Sequence, residues 1–225
     1  MIHELRTYYA MPGRMGDLQQ NFRELTTKLF AKHGFTQLGY WTYKYGGSSD
    51  RLVYLLAWPD EAARDAAFAA FRTDPAWAAA VAAGAAAGPT VSAITADLLT
   101  PTDFSPARTP GPPSPTPMLY ELRTYYAVPG RMADLQARFR DHTTRLFGKY
   151  GFTQIGYWTY KYGGTNDRLV YMLAWPDEAA RDAAFRAFGA DPEWHAARAA
   201  SERAGPLVSH IVAEVLAPTD FSPAP

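Results

Sequence analysis

The stretch GYWTYKYGG occupies residues 39–47 and recurs without change at 156–164. It belongs to a longer duplication, in which residues 1–107 align without a gap onto 118–224, and 77 of the 107 positions are identical. Such self-similarity at a fixed offset indicates two copies of one folding unit. The segment between the copies, PARTPGPPSPTP, predicts a semi-rigid extended spacer because it is rich in proline. The predicted organisation is a first domain at 1–105, a linker at 106–117 and a second domain at 118–225.

Each copy carries the hydrophobic pattern of a β-α-β-β-α-β unit. This order is that of the ferredoxin-like split βαβ fold, whose four-stranded sheet has helices on one face only. Because the other face must also be covered, the two sheets of the chain are expected to face each other in one eight-stranded, barrel-like core. In the first copy the predicted strands are 2–10, 35–45, 51–58 and 90–99, and the predicted helices are 14–33 and those that begin at Pro59-Asp60 and at Asp74-Pro75.

Composition and charge exclude several classes of protein. Hydrophobic residues make up 48% of the chain and charged residues 20%, which is typical of a globular protein. Lys plus Arg equals Asp plus Glu at 22 each, so no broad field for nucleic acid or a membrane surface is expected. The lack of cysteine removes disulfides, thiolate nucleophiles and Cys-ligated metal, and no His pair has metal-site spacing on one helix. With neither a signal peptide nor a transmembrane run in the sequence, a cytoplasmic location is expected.

Several spaced blocks of sequence resemble the NIPSNAP family. They are YELRTYYAVPGRMADL at 120–135, KYGFTQIGYWTYKYGG at 149–164, RLVYMLAWPDEAARDAAF at 168–185 and TDFSP at 219–223. The first copy has the same blocks, so the resemblance covers nearly the whole chain outside the linker. It implies an α+β fold in which two ferredoxin-like βαββαβ repeats form an intramolecular dimeric α/β barrel. It implies no single chemistry, because that superfamily includes cofactor-free oxygenases, isomerases, cyclases, haem-binding enzymes and proteins that only bind.

Positions at which the two copies differ point to a site that one copy alone would carry. His142 lies in the apolar stripe of the first helix of copy two, where copy one has Leu25. A histidine facing the sheet beneath a helix is a candidate acid/base catalyst or haem ligand, and the alternative is a half-buried histidine with ordinary hydrogen bonds. His210 replaces Ala93 on the last strand and could face either side of the sheet. The last helix of copy two has charges in place of alanines, which indicates either a polar pocket or a solvated helix face.

Residues that both copies keep supply further candidates. Glu121 and Arg123 share a face of the first strand, either as a pair that orients a ligand or as a structural ion pair. The aromatic strand at 157–162 presents alternate side chains on one face, either as core residues or as a stacking platform for a planar ligand. The predicted catalytic residues are His142, Tyr125 and Tyr160, and the predicted substrate-binding residues are Arg123, Glu121, Trp158, Tyr162 and His210.

Two functions from different classes fit these observations. The first is an enzyme that performs cofactor-free acid/base chemistry (cyclisation, isomerisation, elimination or oxygenation) on a hydrophobic aromatic or polyketide-like molecule, in a pocket of copy two. The second is a non-catalytic ligand-binding or scaffold module, and haem binding is a third. A small-molecule substrate is expected as the partner, without nucleic acid, membrane, metal or bound cofactor, while homo-oligomerisation stays open. The composition, rich in Ala and Arg and poor in Lys, is typical of a bacterium with a GC-rich genome.

Overall fold

The computed structural model of the chain describes residues 1–45, 50–86, 88–106, 119–162, 165 and 167–223. The predicted linker at 106–117 lies outside the described residues apart from Pro106, and so do residues 46–49 between the second and third predicted strands. The described residues divide into two compact units, each with β-α-β-β-α-β order. Among the helices that the structure describes, none is both long enough and apolar enough to cross a membrane.

The first unit is an antiparallel four-stranded sheet with helices packed against it. Its strands are β1 (Ile2–Ala10), β2 (Thr36–Tyr45), β3 (Arg51–Trp58) and β4 (Val91–Pro101), in the sheet order β4-β1-β3-β2. Its helices are α1 (Met15–Asn21), α2 (Thr27–Lys32), α3 (Glu61–Arg72) and α4 (Pro75–Ala86), and a π-helical turn at Phe22–Thr26 joins α1 to α2. The strands and helices predicted from the hydrophobic pattern are confirmed.

The second unit repeats this arrangement with its own residues. Its strands are β5 (Leu119–Ala127), β6 (Thr153–Tyr160), β7 (Arg168–Trp175) and β8 (Val208–Pro218), in the sheet order β8-β5-β7-β6. Its helices are α5 (Met132–Arg138), α6 (Thr144–Lys149), α7 (Glu178–Gly189) and α8 (Pro192–Ser201), with a π-helical turn at Phe139–Thr143 between α5 and α6.

Aromatic rings fill the space between the helices and the sheet in both units. Phe30 of α2 stacks on Phe35 with ring centroids 4.1 Å apart, and Phe35 meets the edge of Trp58 at 4.7 Å. In the second unit, Phe147 stacks on Phe152 at the same 4.1 Å. Because each buried ring removes a large apolar area from water, these contacts hold the helix layer on the sheet.

The TDFS segment that ends each sequence copy belongs to the compact unit of the other copy. Residues 218–223 are part of the first unit, and residues 100–106 are part of the second. In the first unit, Thr219 donates its backbone N–H to the carbonyl of Tyr40 at 3.0 Å, and the N–H of Tyr40 donates to Ser222 Oγ at 2.9 Å. The compact units therefore differ from the sequence repeats in their C-terminal tails.

Candidate functional site

A cavity of about 600 Å³ lies in the first unit, between α1 with its π-helical turn, α4 and the sheet. This volume falls in the range of sites that bind small molecules. Its walls are largely apolar and aromatic, with a few polar side chains among them. The apolar lining includes Leu18, Phe22, Phe30, Phe71 and Trp77, and the polar lining includes Tyr8, Asp17, Asn21, Thr26 and Thr90.

The cavity owes its space to the small side chains of α4. Ala80, Val81 and Gly84 contribute to its wall, and a methyl group added at Gly84 would meet no atom within 4 Å. Because helices pack at a distance set by larger side chains elsewhere in the layer, a run of small residues leaves a gap rather than a closer contact.

The N-terminus of α4 is fixed by Asp74, as its Asp-Pro sequence predicted. One oxygen of the carboxylate accepts the N–H of Ala76 at 2.9 Å, and the other accepts Lys32 Nζ at 2.7 Å and His33 Nε2 at 2.8 Å. The hydrogen bonds from Lys32, His33 and Ala76 hold the pKa of Asp74 well below its usual range. This carboxylate therefore ties the cavity wall to the end of α2.

A buried carboxylate on β1 organises the charges on the helix-facing side of the sheet. Glu4 is fully buried and accepts Arg6 Nη1 at 2.6 Å and Trp58 Nε1 at 3.1 Å. Arg64 of α3 donates to both of its oxygens, at 2.9 and 2.7 Å. Because both oxygens of Glu4 are already occupied by donors, this residue positions arginines rather than acting as a free base.

Arg6 connects this ion pair to the cavity through two tyrosines. Its Nε donates to the hydroxyl of Tyr54 at 2.9 Å. Burial raises the pKa of Tyr54 well above its ordinary value, and the adjacent hydroxyl of Tyr8 raises it further, against the opposing effect of Arg6. Tyr54 therefore keeps its proton, and its ring lies 5.4 Å from the ring of Tyr8. Tyr8 lines the cavity, and a phenol O–H can donate a hydrogen bond.

In the second unit, a buried arginine stands at the position equivalent to Asn21. Arg138 replaces Asn21 and is only 6% exposed. Its Nη1 donates to Glu202 Oε1 at 2.8 Å, and its guanidinium lies 5.3 Å from the ring centre of Trp194, the counterpart of Trp77. The pocket is predicted in copy two, whereas this cavity lies in copy one.

Three of the predicted site residues lie on the helix-facing side of the second sheet. Glu121 is fully buried and accepts Arg123 at 2.5 Å and Arg181 at 2.9 and 2.8 Å. Tyr125 packs against the ring of Tyr171 at 5.3 Å. This geometry matches the structural ion pair among the two interpretations of Glu121 and Arg123, and their role in substrate binding stays a prediction.

His142 lies on the π-helical turn between α5 and α6 and is partly buried. Its counterpart Leu25 packs against the hydrophobic core of the first unit. The Nδ1 atom of His142 is buried and has no hydrogen-bond partner within the described part of the chain. A buried nitrogen without a partner is unusual, so the predicted acid/base role of His142 keeps a physical basis and remains untested.

The other predicted residues are not brought together with His142. His210 pairs with Tyr126 across β8 and β5, is exposed and stacks on that ring at 4.1 Å. Strand alternation and the cross-strand register place Trp158 and Tyr160 on the same sheet face as His210, away from the helices of this unit. Tyr162 follows β6 and is 61% exposed. The predicted constellation is therefore divided between the two faces of the sheet.

Sequence reasoning missed Tyr8 and Asn21, which line the cavity. The signal was present as the difference between Asn21 and Arg138, but an arginine replacing a short amide in a helix does not by itself indicate which copy has the space. Within the described ranges, no group of three or more His, Asp or Glu side chains is placed to hold a metal ion.

Both units have the ferredoxin-like β-α-β-β-α-β order, and the first has a cavity between its helices and its sheet. Solved structures share the fold of nearly the whole chain, and the predicted fold class, an α+β dimeric α/β barrel of two repeats, is confirmed. The chain belongs to the NIPSNAP family, whose sequence model matches residues 3–106 and 120–223. The resemblance found in the sequence is confirmed as well.

Similar proteins agree in fold more than in described activity. Mouse (Mus musculus) protein NipSnap homolog 3B is 30% identical over 105 residues, which are 46% of this chain and 40% of that protein, so this chain spans less than half of its length. A Lactobacillus acidophilus NCFM protein provisionally described as a monooxygenase is 8% identical, with a TM-score of 0.63 over 98% of this chain and 97% of its own. An anthrone oxidase-like protein is 13% identical, with a TM-score of 0.55 over 97% and 91%.

Proposed function

We propose that this protein binds a small aromatic, polyketide-like molecule in the cavity of the first unit and catalyses a cofactor-free reaction that proceeds through its enolate or phenolate. The observation that carries the proposal is Tyr8, which lines an apolar cavity and packs against Tyr54, the residue whose hydroxyl accepts Arg6 Nε. An oriented donor in a site of low polarity stabilises a developing oxyanion more strongly than water does.

The aromatic residues that line the cavity indicate the class of ligand. Phe22, Phe30, Phe71 and Trp77 offer ring faces and edges, which favour a planar aromatic molecule over a flexible polar one. The cavity volume accommodates two or three fused rings, and the polar groups at its lining suit one or two oxygen substituents. A carbonyl or phenol oxygen placed against Tyr8 would receive its hydrogen bond.

The chemistry follows from the charge that Tyr8 can stabilise. When a proton is removed from a carbon conjugated with the carbonyl of an aromatic ketone, the electron pair moves to the ketone oxygen. Tyr8 would donate its hydrogen bond to that oxygen. Among the described lining residues, Asp17 carries the one carboxylate. Arg14 Nε donates to its Oδ2, and its Oδ1 is our candidate for the atom that accepts the proton. Such an enolate is a shared intermediate of isomerisation, cyclisation and reaction with dioxygen.

Anthrone and dioxygen form a test reaction that balances without a cofactor, because one molecule of each gives anthraquinone and water. The fold shared with the anthrone oxidase-like protein supports this choice of probe and does not by itself assign the activity. The measurements are the initial rate of anthraquinone formation, corrected for the rate without protein, and the binding of anthrone under nitrogen.

The decisive variants are Tyr8→Phe and its matched control Tyr125→Phe in the second unit. We expect Tyr8→Phe to lower kcat/KM by about 100-fold, the scale of losing one oxyanion donor, while Tyr125→Phe leaves it within about twofold. A larger effect of Tyr125→Phe would move the site to the second unit. Binding of anthrone without turnover in the unmodified protein would favour the non-catalytic binding module.

The acid/base role predicted for His142 is tested in the same assay. The variant His142→Leu gives the second unit the residue of the first, and the cavity proposal expects it to leave the rate unchanged. A loss of turnover in His142→Leu, with Tyr8→Phe unaffected, would instead support His142 as the catalyst.

A further inference from the structure

We propose that Arg138 is a built-in plug that closes a second copy of the ligand site, and that replacing it opens a latent site for the same class of aromatic molecule in the second unit. The inference rests on the proposed function for the class of ligand, and on the geometry of the second unit for the site itself. It predicts that each chain binds one ligand, not two.

Arg138 stands at the position whose counterpart lines the cavity in the first unit. Asn21 lines the cavity in the first unit, and Arg138 stands at the same position of α5. Although arginine is rarely buried, the Arg138 side chain lies inside the helix layer, with its guanidinium against the face of Trp194.

The partners of Arg138 also distinguish the two units. The Nη1 atom of Arg138 reaches Glu202 at 2.8 Å and Ser201 Oγ at 3.4 Å. The positions of Ser201 and Glu202 hold Gly84 and Ala85 in the first unit. Arg138, its counter-ion Glu202 and the hydroxyl of Ser201 thus occur together in the second unit. The first unit has the small residues Gly84 and Ala85 at the positions of Ser201 and Glu202.

Most of the remaining lining is retained in the second unit, although Arg198 and Leu207 replace Val81 and Thr90. Five aromatic residues that line the first cavity have identical counterparts in the sequence of the second unit. These counterparts are Phe139, Phe147, Phe188, Trp194 and Tyr125. A site opened here would therefore take a ligand of the same aromatic class.

The plug can be removed without stranding a charge. Glu202 also accepts Arg198 Nε at 3.1 Å, so it keeps a cationic partner when Arg138 is lost. Burial opposes ionisation of Glu202, but the hydrogen bonds from Arg138 and Arg198 lower its pKa below the ordinary value. The Nε of Arg138 itself has no hydrogen-bond partner among the described residues, so no further bond is lost there.

The test is the number of molecules bound per chain, measured by isothermal titration calorimetry with 2-naphthol, a planar phenol that does not react. The variant is Arg138→Asn, which copies the first unit. Its matched control is Arg145→Asn, which removes an exposed arginine of α6 that pairs with Glu193 on the surface. Melting temperatures of both variants are recorded to confirm that they fold.

We expect one molecule of 2-naphthol per chain for the unmodified protein and for Arg145→Asn, and two for Arg138→Asn. One molecule per chain for folded Arg138→Asn would overturn the plug while leaving the proposed function in place.

Absence of binding by the unmodified protein would instead contradict the proposed function. In that case a crystal structure of Arg138→Asn tests directly whether Arg138 closes a second site. An opened space between α5 and α8 supports the inference, and a layer that Trp194 or a neighbouring side chain has refilled refutes it.

Discussion

The two units share most of their sequence and their aromatic core, yet at one equivalent position the first has Asn21 and the second has Arg138. In the first unit, a short amide and a helix of small residues leave a cavity. In the second, the same position holds a buried guanidinium with its counter-ion. The comparison teaches that space in such a layer is controlled by the volume of a few side chains, while the fold around it stays the same.

The hydrogen-bond network beneath the helices also differs between the two units. In the first unit Arg6 Nε binds Tyr54, and Trp58 Nε1 binds Glu4. The corresponding Nε of Arg123 and Nε1 of Trp175 have no hydrogen-bond partner in the part of the chain that is described. The unit with the cavity therefore has the more completely satisfied polar network, which is the arrangement expected of a site that orients a donor.

The largest effect is expected from neutralising the buried carboxylate. Glu4→Gln leaves Arg6 without its counter-charge and leaves Arg64 with only the exposed carboxylate of Asp65, and breaking a buried ion pair in this way costs about 3–5 kcal/mol of stability. We expect Glu121→Gln to cost less, because Trp58 donates to Glu4 whereas Trp175 has no partner within the described ranges. Urea unfolding followed by circular dichroism measures both.

Equal losses in the two glutamine variants would show that the indole bond adds nothing. A larger loss for Glu121→Gln would reverse the comparison of the two networks. The matched surface variant Asp65→Asn, whose carboxylate pairs with Arg64 at the exposed edge of α3, is the control and should change stability little.

Much of this fold could be predicted because its signals are local. The apolar spacing in residues 14–33 specifies a helix, Asp74-Pro75 specifies the start of another, and alternation places Trp158 and Tyr160 on one face. The location of the cavity could not be predicted in the same way. The charges that replace alanines on the last helix of copy two indicate either a polar pocket or a solvated helix face. In the structure, small side chains of α4 line the cavity of copy one, and Glu202 is the counter-ion of the buried Arg138.

The two units can also be compared in their stability to acid, through the carboxylates that cap the N-termini of α4 and α8. Asp74 is bound by Lys32 and His33, and Asp191 by Lys149 and Tyr150, and these hydrogen bonds lower the pKa of both. A carboxyl whose pKa is lower in the folded state stabilises the fold above its unfolded pKa of about 3.9, and this stabilisation is lost as the pH falls below that value.

We therefore expect Asp74→Asn to flatten the decline in melting temperature between about pH 5 and pH 2, because its uncharged amide no longer titrates. Asp74 has the more strongly lowered pKa, so Asp191→Asn should flatten the decline less. Identical acid profiles for the unmodified protein and both variants would show that other carboxyls control acid unfolding.

The smallest effect is expected at Gly84, where it separates stability from ligand binding. Gly84→Ala improves helix propensity in α4, and its methyl group meets no atom within 4 Å, so stability should rise by about 0.5–1 kcal/mol. Because a methyl group takes little of a cavity of about 600 Å³, binding of 2-naphthol should persist. Gly84→Trp should abolish that binding while the protein remains folded, as calorimetry and a melting curve would show. If Gly84→Ala weakened binding as strongly as Gly84→Trp, the ligand would depend on backbone contact with α4 rather than on the volume that distinguishes the two units.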